Sequence, residues 1–326
     1  MRAMTVVGQR LLYAALLILA VIILNFFLLH LAPGDPADVI AGEMGGATEE
    51  MLAQIRKTYG LDQPLLTQLG IYLGRMLQGD LGQSYFYNAP VAELILDRLG
   101  STLLLALTAL SFAIIVGTAL GVIAARKPSG ITSHLISVLS LLGYSAPVFW
   151  TAMMLVLMFA YFIPIFPIAD MRDITLEGGP IAHFFDVVHH LVLPAFTLGI
   201  IYLAQYSRLT RASMLEVLGS DYIRTARAKG LSEFVVVAKH ALKNAILPTV
   251  TIAGLQFGHI ISGAVLVEIV FNWPGLGTLA LDAILGRDYP TVMGILFFSA
   301  VVVIAFNLLT DLTYRLIDPR IGGGHK

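Results

Sequence analysis

Six long apolar runs constrain the fold of this chain more than any other feature. One helical crossing of a membrane needs about 20 mostly apolar residues, because a helix rises about 1.5 Å per residue and the hydrocarbon core is about 30 Å thick. Runs that meet this requirement cover residues 10–31, 101–125, 134–163, 191–209, 248–270 and 291–316. Of the 326 residues, 57% are hydrophobic and 13% charged, which is more apolar than a soluble domain requires. The sequence predicts an all-α polytopic membrane protein with six transmembrane helices.

Lysine and arginine are distributed unevenly between the segments that separate these runs. When the amino terminus is placed inside the cell, fourteen of the 20 basic residues fall in cytoplasmic segments and six in outer segments. Cytoplasmic loops are enriched in basic residues, so both termini are predicted to be cytoplasmic. The first run, from Leu11 to Leu29, is longer than a signal-peptide core of about 7–15 residues. It is predicted to be a retained anchor.

The first outer segment, 32–100, is too long to be a simple connection. Thr48 is placed to cap one helix, and Pro64 suits the first turn of a second helix. The segment is therefore predicted to be an extracytoplasmic helical insertion. It acts either as a structural collar or in gating.

The second outer segment, 164–190, contains His183, His189 and His190 near several acidic residues. Adjacent histidines lack the i, i+4 spacing of a helical metal site. No metal site is predicted, and the chain has no cysteine to supply a thiolate ligand or a disulfide.

A basic, helix-compatible loop over residues 210–247 separates the fourth and fifth apolar runs. Its central part reads DYIRTARAKGLSEFVVVAKHALKNAILP, from Asp221 to Pro248. Gly230 permits a left-handed backbone between the two halves of this stretch. The sequence therefore predicts a helix, a bend and a second helix lying parallel to the membrane on its cytoplasmic side.

The apolar and small residues of this loop suggest a contact with a partner. Ile223 and Ala226 are predicted to insert into a groove of a cytoplasmic protein, with basic side chains around them. Those basic residues are Arg224, Arg227 and Lys229. The alternative is an amphipathic helix that lies on anionic lipid.

Polar residues recur on one side of the fifth apolar run. Gln256, His259, Ser262 and Gly263 follow one another at helical spacing. Polar groups are costly inside a bilayer unless they face water or a partner. Gln256, His259 and Ser262 are therefore predicted to line a translocation pathway. The alternative is close packing, with polar groups bonded between helices.

Motifs for covalent chemistry are missing from the sequence. It has no GxxxxGK[ST] phosphate loop, no HExxH pair and no convincing nucleophile elbow. It also lacks charged residues in matching positions of two halves, which an ion-coupled carrier would show. This pattern favours a non-catalytic membrane subunit whose energy comes from another chain. The alternatives are an autonomous secondary transporter or channel, and a structural subunit without a pathway.

Short motifs in a fixed order link the chain to a known family. They are PGDP at 33–36, YGLDQP at 59–64, GDLGQS at 79–84, SAPVFW at 145–150, FNWPGLG at 271–277, RDYP at 287–290 and DPR at 318–320. Together they resemble the permeases of ATP-binding-cassette importers, most closely the dipeptide, oligopeptide and nickel branch. That family's Glu-Ala-Ala-x-x-x-Gly loop falls here on Arg224-Thr225-Ala226 with Gly230, where arginine and threonine replace the first two letters.

The resemblance implies a type I importer permease in the bacterial inner membrane. It implies a coupling loop that docks on the ATPase, formed by Ile223, Arg224, Thr225, Ala226, Arg227, Ala228, Lys229 and Gly230. It also implies a second permease in a heterodimer, two ATP-binding subunits that hold ATP and magnesium, and an extracytoplasmic solute-binding protein. Membrane lipid is the only other expected partner; no nucleic acid is expected. Peptides are the leading solutes, with nickel, glutathione or other small solutes as alternatives.

Overall fold

The computed structural model describes residues 2–31, 48–59 and 62–317. Two motifs of the sequence, PGDP at 33–36 and DPR at 318–320, lie outside these residues. The described part of the chain contains helices, turns and one isolated bridge between Gln83 and Pro90. This agrees with the all-α prediction.

The described helices comprise long apolar elements and shorter elements between them. In chain order they are α1 (Arg2–Leu31), α2 (Glu49–Tyr59), α3 (Leu65–Leu77), α4 (Val91–Arg126), α5 (Ile131–Ser145), α6 (Val148–Val156), α7 (Pro180–Leu218), α8 (Asp221–Ala228), α9 (Glu233–Val235), α10 (Leu242–Ala245), α11 (Leu247–Val270), α12 (Leu276–Leu285) and α13 (Tyr289–Ile317). Two π-helical segments, Leu157–Phe162 and Val236–Ala241, continue α6 and join α9 to α10.

Four stretches are long and apolar enough to cross a membrane as single helices. They are Gly8–Leu28, Val91–Arg126, Pro180–Leu218 and Tyr289–Phe306. The pair Ile131–Ser145 and Val148–Phe162 also qualifies but is bent by 105°. Among the described residues this gives four candidate spans, or five with the bent pair. Six crossings and two cytoplasmic termini stay predictions.

The predicted third span, 134–163, is not one straight helix. Helix α5 ends at Ser145, and Ala146 has extended backbone angles of φ −77° and ψ 133°. The cause is Pro147, because a proline ring disfavours helical geometry in the residue before it. A new helix, α6, begins directly after Pro147.

The fourth apolar run also differs from its prediction. A proline inside a helix removes one hydrogen bond and often breaks it, but α7 continues through Pro194 from Pro180 to Leu218 and extends beyond the predicted bounds 191–209. Pro194 is buried, so the packing around it stabilises the helix despite the missing N–H. The second run is longer too, since α4 begins at Val91 and takes in the last ten residues of the predicted outer insertion.

The chain divides into two compact units, of which the first comprises Met1–Gly100 and Thr278–Leu308. Within it, the predicted Thr48 cap is confirmed, because the Met51 N–H donates to Thr48 Oγ1 at 3.4 Å. Helix α3 follows Pro64 as expected. His30 at the end of α1 bonds through Nε2 to Gln68 Oε1 of α3 at 3.0 Å.

The second unit comprises Ser101–Gly277 and Leu309–Lys326. Its helices approach closely where α4 presents glycine to α7. A Cβ on Gly117 would lie 2.8 Å from the Leu203 carbonyl oxygen, and one on Gly121 would lie 2.6 Å from that of Ser207. Small residues allow such contacts between membrane helices. This packing fixes α7, which carries polar residues discussed below.

Candidate functional site

Helix α8 forms the centre of a small platform, defined here as residues 221–245. The helix begins after Ser220, whose backbone is extended, and Asp221 places a negative charge in its first turn. Ile223 is fully buried and Ala226 is 6% exposed. The platform is therefore anchored by one face of a two-turn helix.

The prediction that Ile223 and Ala226 insert into a partner is wrong for this chain. Both side chains pack into a core formed by their own chain. The buried residues around them are Ala125, Met214, Val236, Val237, Ala241 and Ala245. Residues three apart lie on one helix face, and this apolar face meets the nearest apolar surface, which the same chain supplies.

The opposite face of α8 is the one available to a partner. Arg224, Thr225 and Ala228 are exposed there. The Arg224 guanidinium lies 3.2 Å from the Asp221 carboxylate in a solvent-exposed pair. The surface is thus polar and basic, with one small residue, Ala228, among charged neighbours.

The bend after α8 has the predicted geometry. Gly230 has φ +75°, and nothing lies within 4 Å of where its Cβ would be. Positive φ favours glycine over any residue with a side chain. The constraint at this position is therefore the backbone angle and not a lack of space.

Polar contacts connect α8 to the helices that follow the bend. Arg227 donates to both Glu233 oxygens, at 2.8 and 3.1 Å, and Asn244 donates to the Tyr222 hydroxyl at 2.9 Å. The hydrogen bonds from Arg227 lower the pKa of the Glu233 carboxyl, and the same pairing raises the pKa of Arg227. The platform is held at both ends of α8 as well as by its core.

The second candidate site is a polar cluster within the apolar helices α7 and α11. Of the predicted pathway residues, Gln256 has a described side chain, whereas the side chains of His259 and Ser262 lie outside the described part of the structure. Gln256 accepts a hydrogen bond from the Tyr206 hydroxyl and donates one to Gln205 Oε1, both at 2.6 Å. These contacts join the two helices, as the packing alternative expects.

The outer histidines contact the chain locally. His189 Nε2 lies 2.7 Å from the Ile165 carbonyl oxygen, and His190 Nδ1 lies 3.2 Å from Asp186. No group of three or more potential metal ligands occurs among the described residues.

Two buried carboxylates were missed by the sequence reasoning. Glu268 is fully buried and accepts hydrogen bonds from the Thr102 hydroxyl at 2.7 Å and the Gly277 N–H at 2.6 Å. A Cβ on Gly275 or Gly277 would collide with its carboxyl group, which explains two glycines of the FNWPGLG motif. A single acid at the end of an apolar run, just before a glycine-rich turn, was the available signal.

Asp288 plays a similar part in the first unit. It is fully buried and precedes α13. Its carboxylate accepts from the Ser84 and Thr291 hydroxyls at 2.5 and 2.6 Å. This network joins the predicted motifs GDLGQS and RDYP.

The long apolar helices define a multi-helix membrane protein, and comparison with known families agrees. The family model described as "Binding-protein-dependent transport system inner membrane component" matches residues 117–323, and its companion for the N-terminal part of such components matches residues 3–106. This chain belongs to the family of binding-protein-dependent transport system inner membrane components.

Relatives within the family match along almost the full length. The dipeptide transport system permease protein DppB of Escherichia coli (strain K12) is 42% identical over 320 residues, covering 93% of this chain and 94% of the relative. The di/tripeptide transport system permease protein DppB of Pseudomonas aeruginosa (strain UCBPP-PA14) is 42% identical over 315 residues, covering 92% and 94%.

A solved structure shares the fold at low sequence identity. A chain of the inward-facing methionine ABC transporter MetNI matches with a TM-score of 0.54 and 16% identity, over 69% of this chain and 96% of the other. This supports the transporter-permease fold and nothing about the solute.

Proposed function

We propose that this chain is a non-catalytic permease subunit of an ATP-driven peptide importer and forms half of its translocation pathway. The observation that carries the proposal is the 42% identity, over 93% of the chain, to a dipeptide transport system permease. The absence of nucleotide-binding motifs from the sequence supports a subunit driven by another chain. Peptides are preferred over nickel or glutathione because the relatives compared above are peptide permeases.

The platform is the proposed docking element for an ATP-binding subunit. Its outward face offers Arg224, Thr225 and Ala228, while Ile223 and Ala226 fix it to the rest of the chain. A helix held by an apolar core and by contacts at both ends transmits displacement to α7 and α11 without bending. Residues from Ile223 to Gly230 thus act together, some as contacts and others as anchors.

The complete importer contains chains beyond this one. A second permease completes the pathway, two ATP-binding subunits hold ATP and magnesium, and an extracytoplasmic binding protein delivers the solute. ATP binding brings the two platforms together and opens the permeases outward; hydrolysis restores the inward-facing state. Gln256, His259 and Ser262 line the pathway in this proposal, because a wet lumen is the least costly place for polar groups inside a bilayer.

Six crossings with both termini cytoplasmic complete the proposal. The charge bias of the loops supports this topology. Since the chain has no cysteine, single cysteines at Thr48, Glu177 and Ser232 can be probed with an impermeant thiol reagent. Labelling of position 232 in sealed cells would show that the orientation is opposite to the proposed one.

Gly230→Val tests the docking role. Left-handed backbone costs a residue with a side chain about 1–2 kcal/mol, and valine adds β-branching, so the bend must change and α8 must tilt. We expect normal insertion but loss of the ATP hydrolysis that loaded binding protein stimulates in reconstituted complexes. Gly219→Ala is the matched control, because Gly219 has φ −81° and a Cβ there meets only ordinary contacts, the nearest at 3.5 Å. Wild-type stimulation in Gly230→Val would show that the platform is not the docking element.

A further inference from the structure

A directed chain of hydrogen bonds crosses from α7 to α11 and returns. The Tyr206 hydroxyl donates to Gln256 Oε1, and Gln256 Nε2 donates to Gln205 Oε1. Tyr206 is fully buried, whereas Gln256 and Gln205 are half-buried. The series of hydrogen bonds therefore starts at a side chain inside the protein and ends at one that is accessible from the surface of this subunit.

Gln205, the last residue of this hydrogen-bond series, has N–H donors that are not used within it. A glutamine amide carries one acceptor oxygen and two N–H donors. The oxygen of Gln205 is occupied by Gln256, and among the described residues no acceptor bonds its amide nitrogen. Gln205 is not needed to join the helices, since the bond between Tyr206 and Gln256 already does so. Its amide is thus held through the oxygen, and its N–H groups stay available to a ligand at this half-buried position.

The location makes this free amide informative. Gln205 lies within the predicted crossing 191–209, and Gln256 lies within 248–270. An amide N–H without an acceptor in hydrocarbon costs several kcal/mol. Tyr202 and Arg208 lie three residues before and after Gln205 on the same side of α7, and Arg208 is exposed with its guanidinium 5.1 Å from the centre of the Tyr144 ring. A row of polar residues at this surface indicates contact with water or solute rather than lipid.

From this geometry we propose that Gln205 is a solute-binding residue of the pathway, which donates hydrogen bonds to backbone carbonyl or terminal carboxylate oxygens of a passing peptide. Gln256 and Tyr206 are positioning residues that hold the amide in the donating orientation. The proposal rests on the peptide importer function above and names the part of the peptide that is recognised.

The chemistry suits a carrier of peptides with varied side chains. Every peptide has backbone oxygens, whatever its sequence, so a neutral donor binds all of them. A fixed charge at this position would attract one class of side chain and repel another. A single hydrogen bond is also weak enough to release the solute.

Accessibility of the site can be measured directly because the chain has no cysteine of its own. We expect Gln205→Cys in reconstituted complexes to react with a charged, water-soluble thiol reagent at least about tenfold faster than Leu203→Cys, whose position is only 9% exposed. Labelling is located on this chain by mass spectrometry. Equal, slow reaction at both positions would mean that the amide faces lipid or another subunit and would overturn the proposal.

Uptake and ATP hydrolysis, measured together, distinguish a solute-binding role of Gln205 from a structural one. Gln205→Leu removes the donors. We expect the initial uptake of dialanine to fall about tenfold, because one hydrogen bond to the solute is lost. Stimulated ATP hydrolysis should stay within about twofold of wild type. Dilysine and diaspartate uptake should fall by similar factors, since all three share the same backbone. Gln78→Leu, the same change at an exposed outer position, should leave uptake unchanged.

The possible failures are distinguishable. If the wild-type complex neither takes up dialanine nor shows stimulated hydrolysis, the peptide importer function itself fails. If the wild type transports but Gln205→Leu transports equally well, only the solute-binding role is overturned. Loss of both uptake and hydrolysis in Gln205→Leu would make the residue structural and would also overturn it.

Discussion

The platform and the glycine-rich turn at residues 271–277 are both connections between helices of the second unit, but they are anchored in opposite ways. The platform buries apolar side chains, Ile223 and Ala226, and keeps its ion pair between Arg227 and Glu233 partly exposed. The turn instead buries a carboxylate, Glu268, each oxygen of which accepts a hydrogen bond. One connection depends on apolar packing, whereas the other depends on buried hydrogen bonds.

The difference follows from what each connection must leave available. An apolar anchor needs no donors or acceptors, so the outward residues of α8 are free to contact another protein. The turn has backbone N–H groups that need acceptors in a buried site, and the Glu268 carboxylate supplies one to Gly277. Further fixation comes from the Trp273 indole N–H, which donates to the Ser101 carbonyl oxygen at 2.9 Å. The platform thus leaves polar residues exposed on its outward face, whereas the turn is buried almost throughout.

The largest effect is expected for a charge placed in the apolar anchor. Ala226→Asp buries an unpaired carboxylate in the platform core, and such changes cost about 3–5 kcal/mol. We expect a lower unfolding temperature of the detergent-solubilised complex and new proteolytic cleavage within residues 221–245. A variant that only prevented docking would leave the unfolding temperature unchanged. Ala226→Asp should lower it, because Ala226 is buried.

Ala228→Asp is the matched control on the outward face. Ala228 is exposed, so its effect on the free energy of unfolding should stay within about 0.5 kcal/mol. Stimulated ATP hydrolysis should nevertheless fall, because the new charge enters the proposed contact. Equal destabilisation by the two variants would remove the distinction between anchor and contact surface.

A smaller effect is expected when the polar anchor loses one acceptor. In Glu268→Gln the amide retains one oxygen, so either the Thr102 hydroxyl or the Gly277 N–H faces an NH₂ group instead of an acceptor. An unsatisfied buried group costs about 1–3 kcal/mol. Thermal unfolding should show this loss, while Glu216→Gln on an exposed part of α7 should show none. Unchanged stability in Glu268→Gln would mean that the turn is held by packing alone.

The sequence predicted the local elements better than their surroundings. The Thr48 cap, the helix after Pro64 and the positive φ of Gly230 depend on neighbouring residues, and all three are confirmed. The inward orientation of Ile223 and Ala226 depends on α7 and on residues 236–245, so periodicity identified the apolar face but not what covers it. The partners of Glu268 come from residue 102, far away in the chain, and no local pattern indicates them. Apolar runs likewise located the helices without revealing that Pro147 bends one and Pro194 does not end another.

The smallest effect is expected for the exposed ion pair of the platform. Arg227 and Glu233 are 43% and 50% exposed, and pairs of this kind contribute about 0.2–1 kcal/mol. A double-mutant cycle with Arg227→Ala and Glu233→Ala should give a coupling energy in that range, and salt should reduce it. Because pairing lowers the pKa of Glu233 from its ordinary value of 4.5, its contribution is complete above that pH and is lost as the pH falls through the lowered value. Between pH 6 and pH 8 the contribution of this pair to stability should therefore not vary with pH. A coupling energy well above about 1 kcal/mol would mean that the polar contact, and not the apolar core, holds α8 in place, and the contrast between the two connections would fail.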